Sequence, residues 1–64
     1  MTEYVKNFYK KELEYSKSDL EYWNDMLKRL REDELQDHAI YDFTVIKRNE
    51  AAERIQFYGD KLEN

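Results

Sequence analysis

Large apolar side chains recur every seven residues in the first half of the chain. One position of this repeat holds Leu13, Leu20 and Leu27. The position three residues further on holds Tyr9, Ser16, Trp23 and Leu30. Spacings that alternate between three and four residues keep side chains on one face of a helix, as in coiled coils. The pattern predicts a long helix over about residues 3–31, with Thr2 as its N-cap and Ser16 as its one polar interruption.

The segment around Ser18 offers an alternative in which this helix is broken. Ser18 and Glu21 fit a capping box, in which a serine caps a new helix and a glutamate reaches back to it. A break near residues 16–18 would give a compact three-helix bundle. We favour one continuous helix, because the phase of the repeat is the same before and after this segment and a turn rarely preserves phase.

The heptad pattern ends between residues 31 and 38. Its next positions would fall on Glu34 and Asp37, so we expect the chain to turn here. Acidic residues stabilise the positive end of a helix, and we place the start of the second helix among them. This second helix is predicted over about residues 36–60, with Gly59, the only glycine of the chain, near its end.

Residues 40–46 also fit a β-strand, since the segment IYDFTVI is rich in β-branched and aromatic side chains. However, no second segment of the chain has a comparable pattern. A lone strand would leave its backbone N–H and C=O groups unpaired, which is costly in a folded protein. We therefore assign this segment to the second helix.

The second helix would carry two apolar stripes about 90° apart. One contains Ile40, Thr44, Ala51, Ile55, Tyr58 and Leu62, and the other contains Ala39, Phe43, Ile46 and Phe57. A single neighbouring helix covers one face at a time, so the second stripe needs another partner. The sequence therefore predicts an all-α antiparallel two-helix hairpin, forming a single domain over residues 1–64. We expect it to associate with itself, with a symmetric dimer that forms a four-helix bundle as the favoured homo-oligomer.

Size and composition make a partner more plausible. Sixty-four residues are close to the lower limit at which one hydrophobic core stabilises a domain. Ten aromatic residues argue for a folded chain, although 41% of the residues are charged. The absence of cysteine excludes disulfides and thiolate metal sites. The abundance of Lys, Asn, Ile, Tyr and Phe is typical of AT-rich genomes, such as those of low-GC bacteria and their phages.

No apolar run approaches the length of a membrane span, and the first residues do not resemble a signal peptide. We expect a cytoplasmic protein without a membrane partner. The formal net charge of −4 lies wholly in the second half of the chain and disfavours a nucleic-acid partner. Two alternatives stay open: the acidic half could imitate a phosphate backbone, or the basic clusters at residues 28–31 and 47–48 could bind one.

The chain has no motif that indicates catalysis or a cofactor. It contains no glycine-rich phosphate loop and no serine within a nucleophile elbow. His38 and Asp42 are spaced four apart and could place two ligands on one helix face, but a transition-metal site normally needs three or four convergent ligands. We predict no catalytic, cofactor or metal site.

The sequence therefore indicates a non-enzymatic interaction module, which would act as a regulator, adaptor or inhibitor by occupying the surface of another macromolecule, most simply a protein. Tyrosine and tryptophan dominate the energetics of such interfaces. A row at seven-residue spacing on the first helix, at Phe8, Tyr15 and Tyr22, is the main candidate, although it could also be the flank of an internal face. The predicted interaction residues are Phe8, Tyr15, Tyr22, Trp23, Met26, Phe43, Ile46 and Phe57.

Overall fold

The computed structural model describes residues 1–63 and shows an antiparallel hairpin of two helices, α1 (Glu3–Glu32) and α2 (Ala39–Glu63). Measured over its Cα atoms, the hairpin is 47 Å long and 14 by 13 Å across. The predicted all-α hairpin is confirmed. The strand alternative for residues 40–46 is wrong, because this whole segment lies inside α2.

Helix α1 is continuous, as the unbroken heptad phase predicted. Its N-terminus is capped by Thr2, whose Oγ1 accepts a hydrogen bond from the N–H of Val5 at 3.3 Å. Ser16 and Ser18 lie in the middle of the helix, so the capping box at Ser18 is not used and the three-helix alternative is wrong. A cap at Ser18 would have cost the backbone bonds that the continuous helix keeps.

The turn between the two helices is longer than the sequence predicted. Glu34 adopts a left-handed backbone with φ of 58°. Its N–H donates to the carbonyl of Arg31, while the N–H of Leu35 donates to the carbonyl of Leu30 at 2.8 Å. This pair of bonds is a Schellman motif, which satisfies the last carbonyls of α1. Because Glu34 belongs to this cap of α1, the second helix does not start among the acidic residues of the turn as predicted.

Helix α2 therefore begins at Ala39, three residues later than predicted, and continues to Glu63 rather than ending near residue 60. His38 stands immediately before it and acts as its cap. The His38 Nδ1 accepts a hydrogen bond from the N–H of Ile40 at 3.1 Å. An imidazole thus takes the place that a serine, threonine or aspartate usually occupies at a helix start.

Small side chains fill the middle of the seam, by which we mean the contact between α1 and α2. The buried side chains of residues 1–63 are Ser16, Leu27, Leu30, Thr44 and Ala51. Three of them are small, and Ser16, Thr44 and Ala51 are only 2%, 1% and 0% exposed. Both hydroxyls are satisfied within their own helices, Ser16 by the carbonyl of Glu12 and Thr44 by that of Ile40. Side chains of this size fill a seam only where two helix axes lie close together.

Candidate interaction surface

Ring contacts across the seam fix which residues of the two helices lie opposite each other. Near the open end of the hairpin, the ring centroids of Tyr9 and Tyr58 are 5.9 Å apart. Nearer the turn, the ring of Trp23 meets that of Phe43 edge-on, with centroids 6.1 Å apart. These pairs set the antiparallel register along most of the length of the hairpin.

One side of the hairpin holds a shallow groove of about 450 Å³ that runs across the seam. Its walls come from both helices: Asp19, Tyr22, Trp23, Lys47, Glu50 and Arg54. An ion pair bridges the groove, since Arg54 Nη2 lies 3.2 Å from Asp19 Oδ2. The groove therefore shows that these parts of α1 and α2 share one face of the molecule.

Heptad spacing extends this face along both helices. Phe8 and Tyr15 are seven and fourteen residues from Tyr22, and Phe43 and Phe57 are each seven residues from Glu50. Residues seven apart lie almost in line on a helix, so both rows share the side on which the groove lies. Met26 is four residues from Tyr22 and lies on the seam side of this face, whereas Ile46 is four residues from Glu50 and lies at its outer edge, away from the seam. We call this surface the aromatic face: Phe8, Tyr15, Tyr22, Trp23, Met26, Phe43, Ile46 and Phe57.

Most side chains of the aromatic face are in solvent. Six of the eight are between 48% and 63% exposed, namely Phe8, Tyr15, Tyr22, Phe43, Ile46 and Phe57. Trp23 and Met26 are half-buried at its inner edge. Helical spacing from the groove residues thus places the predicted residues around one side, with Ile46 at its outer edge, while their role in binding stays a prediction. Scattered exposed apolar side chains are ordinary, but a contiguous set on one side is typical of binding sites.

Three features of this side were not predicted from the sequence. Tyr4 is 85% exposed and lines a second shallow groove with Phe8 and Lys11. Lys47 places its Nζ 5.5 Å from the centroid of the Phe43 ring, and Lys61 does the same over Phe57 at 5.4 Å. The exposed Tyr4 could have been predicted from its spacing of four residues from Phe8. The lysines could have been found by continuing the row of Arg54 by seven residues in each direction.

The residues next to the seam differ in charge between the two helices. On α1 this inner row is Val5, Glu12, Asp19 and Met26. On α2 it is Ile40, Lys47, Arg54 and Lys61. The charges of the α1 row are therefore acidic and those of the α2 row are basic. Glu50 is the one acidic residue of the groove on the α2 side, and it lies 3.8 Å from Lys47.

Side chains that could hold a metal ion do not converge in residues 1–63. No group of three or more His, Asp or Glu residues is close enough there to form such a site. His38, the one histidine, uses its Nδ1 to cap α2. The candidate surface is thus built from rings, methyl groups and a few ion pairs.

Comparison with known proteins gives no relative to argue from: no family model, no curated protein and no solved structure matches this chain. Neither α1 nor the part of α2 that the structure describes is long and apolar enough to cross a membrane.

Proposed function

We propose that this protein is a non-enzymatic interaction module, which acts as a regulator, adaptor or inhibitor by covering the surface of another macromolecule with its aromatic face. The observation that carries the proposal is the location of the large apolar side chains. Within residues 1–63, Leu27 and Leu30 are the large apolar side chains that are fully buried, whereas six others stand exposed together on one side. A sequence this rich in aromatics could have buried them, but two helices provide one seam only.

The size of the aromatic face fits a protein interface. A flat contact over the 47 by 14 Å outline would bury on the order of 650 Å² on each partner, or about 1,300 Å² in total. Stable complexes bury about 1,200–2,000 Å² in total, so the aromatic face is large enough for one. Tyrosine and tryptophan supply contact area with few rotatable bonds, which lowers the entropy lost on binding.

Self-association is part of this proposal. We infer that in the free protein a second copy covers the aromatic face, giving the dimeric four-helix bundle expected from the two stripes of α2. A face that is covered by a second copy must be released before a target can occupy it. Dimerisation and target binding therefore compete, and the affinity for a target should fall as the concentration of this protein rises.

Sedimentation velocity tests the surface directly. The variant Tyr22→Ser/Phe57→Ser removes one ring from each helix, and Lys17→Ser is its matched control outside the face. At tens of micromolar, the wild type and the control should sediment as a species heavier than the 8.0 kDa chain, and the double variant should shift towards the monomer. Equal sedimentation of all three proteins at unchanged helix content would contradict the proposal.

A capture experiment with the same three proteins tests the target. A protein from the source cell supports the proposal only if the wild type and the control retain it, the Tyr22→Ser/Phe57→Ser variant loses it, and nuclease treatment has no effect. Binding that weakens steeply with salt and is displaced by added DNA would instead favour imitation of a phosphate backbone, since counterion release makes such binding strongly salt-dependent. Direct retention of duplex by the protein alone would favour a nucleic-acid binder.

A further inference from the structure

We propose that the two copies align with their turns at the same end, so that α1 of each chain packs against α2 of the other. In this arrangement Asp19 and Arg54 of the two chains form a ring of four alternating charges at the centre of the dimer. The inference rests on the proposed self-association and goes beyond it, since it specifies how the second copy sits.

Two symmetric arrangements can bring the aromatic faces of two hairpins together. With the two-fold axis along the length of the hairpin, the turns coincide and α1 faces α2 of the second copy. With the axis across the hairpin, the turns lie at opposite ends, and each helix faces its own equivalent. Neighbouring helices are antiparallel in both cases, so the helix dipoles do not favour either one.

The charges of the inner rows distinguish the two arrangements. Turns at the same end place the acidic row of α1, with Glu12 and Asp19, against the basic row of α2 in the second copy. Turns at opposite ends place each row against itself, acid on acid and base on base. Like charges that face each other at a desolvated interface oppose association, so the first arrangement is favoured. The exception on the α2 side, Glu50, is held by Lys47 of its own chain at 3.8 Å.

The ion pair between Asp19 and Arg54 is where the charges of the two chains would meet most closely. The two groups are 3.2 Å apart across the seam, and their side chains are 55% and 40% exposed. A two-fold axis along the hairpin keeps the pairs of both chains at the same height. Around the axis the order is then Asp19, Arg54, Asp19, Arg54, and each carboxylate has a guanidinium on both sides. The five N–H donors of an arginine can serve two carboxylates at once.

Covering the face strengthens this ring. An exposed ion pair contributes little because water and salt screen it. When a second copy excludes water, the same charges interact in a lower effective dielectric. A shift of one chain along the other would then leave a buried charge without a partner. A few buried polar groups fix the register of coiled coils in this way. We therefore assign Asp19 and Arg54 a positioning role in the dimer and assign its stability to the surrounding rings.

Distance measurement between two turns tests the alignment. The chain has no cysteine, so Gln36→Cys in the exposed turn provides one spin-label site per chain. Helix axes in a bundle lie 8–10 Å apart, so turns at the same end predict a label-to-label distance of about 15–30 Å by electron–electron double resonance. Turns at opposite ends of a 47 Å hairpin predict a distance above about 40 Å.

The outcomes separate the two proposals. A short distance supports the alignment. A long distance in a protein that sediments as a dimer overturns the alignment and leaves self-association standing. A labelled protein that stays monomeric at 100 μM, as judged by sedimentation, while its circular dichroism remains helical overturns both the alignment and the self-association on which it rests.

Charge reversal tests the ring itself. Asp19→Arg and Arg54→Asp should each raise the dissociation constant of the dimer at least tenfold, and the double reversal should recover most of the loss because it restores the alternation. Glu14→Lys/Lys17→Glu is the matched control, since this exposed pair at 3.7 Å lies away from the face and should leave dimerisation unchanged. A double reversal as weak as either single reversal, with its helix content intact, would overturn the ring.

Discussion

Replacing Ser16 with leucine tests whether the heptad pattern or the observed packing decides the stability of the hairpin. Ser16 is the one polar residue in its row of the repeat, so the pattern alone suggests that leucine would complete the apolar face. The structure buries Ser16 in the seam, where it is 2% exposed, and the small residues that α2 contributes to the same seam, Thr44 and Ala51, are 1% and 0% exposed. The two views predict opposite signs for the change in stability.

The magnitudes are large enough to separate these views. If the seam had room, the larger side chain of leucine would stabilise the protein by about 1.5–3 kcal/mol through burial. A filled seam cannot accept two more heavy atoms without moving the helices apart, and such overpacking typically costs about 1–3 kcal/mol. We expect the second outcome, because small side chains on both helices indicate a short distance between their axes.

The assay is urea unfolding followed by circular dichroism, with all variants at the same protein concentration because association contributes to stability. Ser18→Leu is the matched control, since Ser18 lies in the same helix but is exposed. It experiences the same change in helix propensity, a few tenths of a kcal/mol, without the packing effect. For a domain of this size the slope is about 1 kcal/mol per M, so Ser16→Leu should lower the midpoint by about 1–3 M. A midpoint for Ser16→Leu above that of Ser18→Leu would refute this account of the seam.

Substitutions at four further positions probe the rest of the hairpin. Leu27→Ala should destabilise the fold by about 2–5 kcal/mol because Leu27 is 2% exposed, whereas Tyr15→Ala should mainly weaken dimerisation; thermal melts over a range of protein concentrations separate the two effects. Glu34→Gly should stabilise by up to about 1 kcal/mol by relieving the left-handed backbone, and Glu34→Ala, which keeps a Cβ, should show no gain. His38→Ala should destabilise by about 0.5–2 kcal/mol through loss of the cap, while His38→Asn should retain stability in the same urea assay.

The extent of α1 could be predicted because its signal is long and periodic. The phase set by Tyr9 and Leu13 before Ser18 continues unchanged in Leu20 and Trp23 after it, so one capping-box match could not outweigh the repeat. The N-cap at Thr2 was equally clear from residue type. A hydrophobic repeat that keeps its phase over about thirty residues is compatible with few backbone conformations other than one helix.

The start of α2 could not be predicted to the residue. The Schellman motif that ends α1 normally has glycine or asparagine in the left-handed position, but here Glu34 occupies it. The cap of α2 is a histidine, a residue type with no strong preference for that place. Residue preferences therefore pointed to the acidic residues of the turn, and the boundary was misplaced by three positions.

The small side chains that fill the seam could not be predicted from the hydrophobic pattern either. Hydrophobicity identifies the face of a helix that is buried, but the distance between helices depends on side-chain volume. Ser16 interrupts the pattern yet is almost fully buried, while Ile40, in the same apolar stripe as the buried Thr44 and Ala51, is 42% exposed. For the candidate surface, the pattern found the rings, whereas the contact of Asp19 with Arg54 needed the register that only the fold supplies.

The placement of charge within the aromatic face should restrict which partners can cover it. A flat row of exposed rings would associate in any orientation, because apolar contact carries little directional information. Lys47 and Lys61 lie over the rings of Phe43 and Phe57, so any neighbour that covers those rings must also accommodate two positive charges. In a second copy with its turn at the same end, Asp19 of α1 lies near the height of Lys47 and can accept its charge. Charge therefore limits the apolar surface to partners with a matching pattern, and a target of this protein should present acidic side chains between apolar ones.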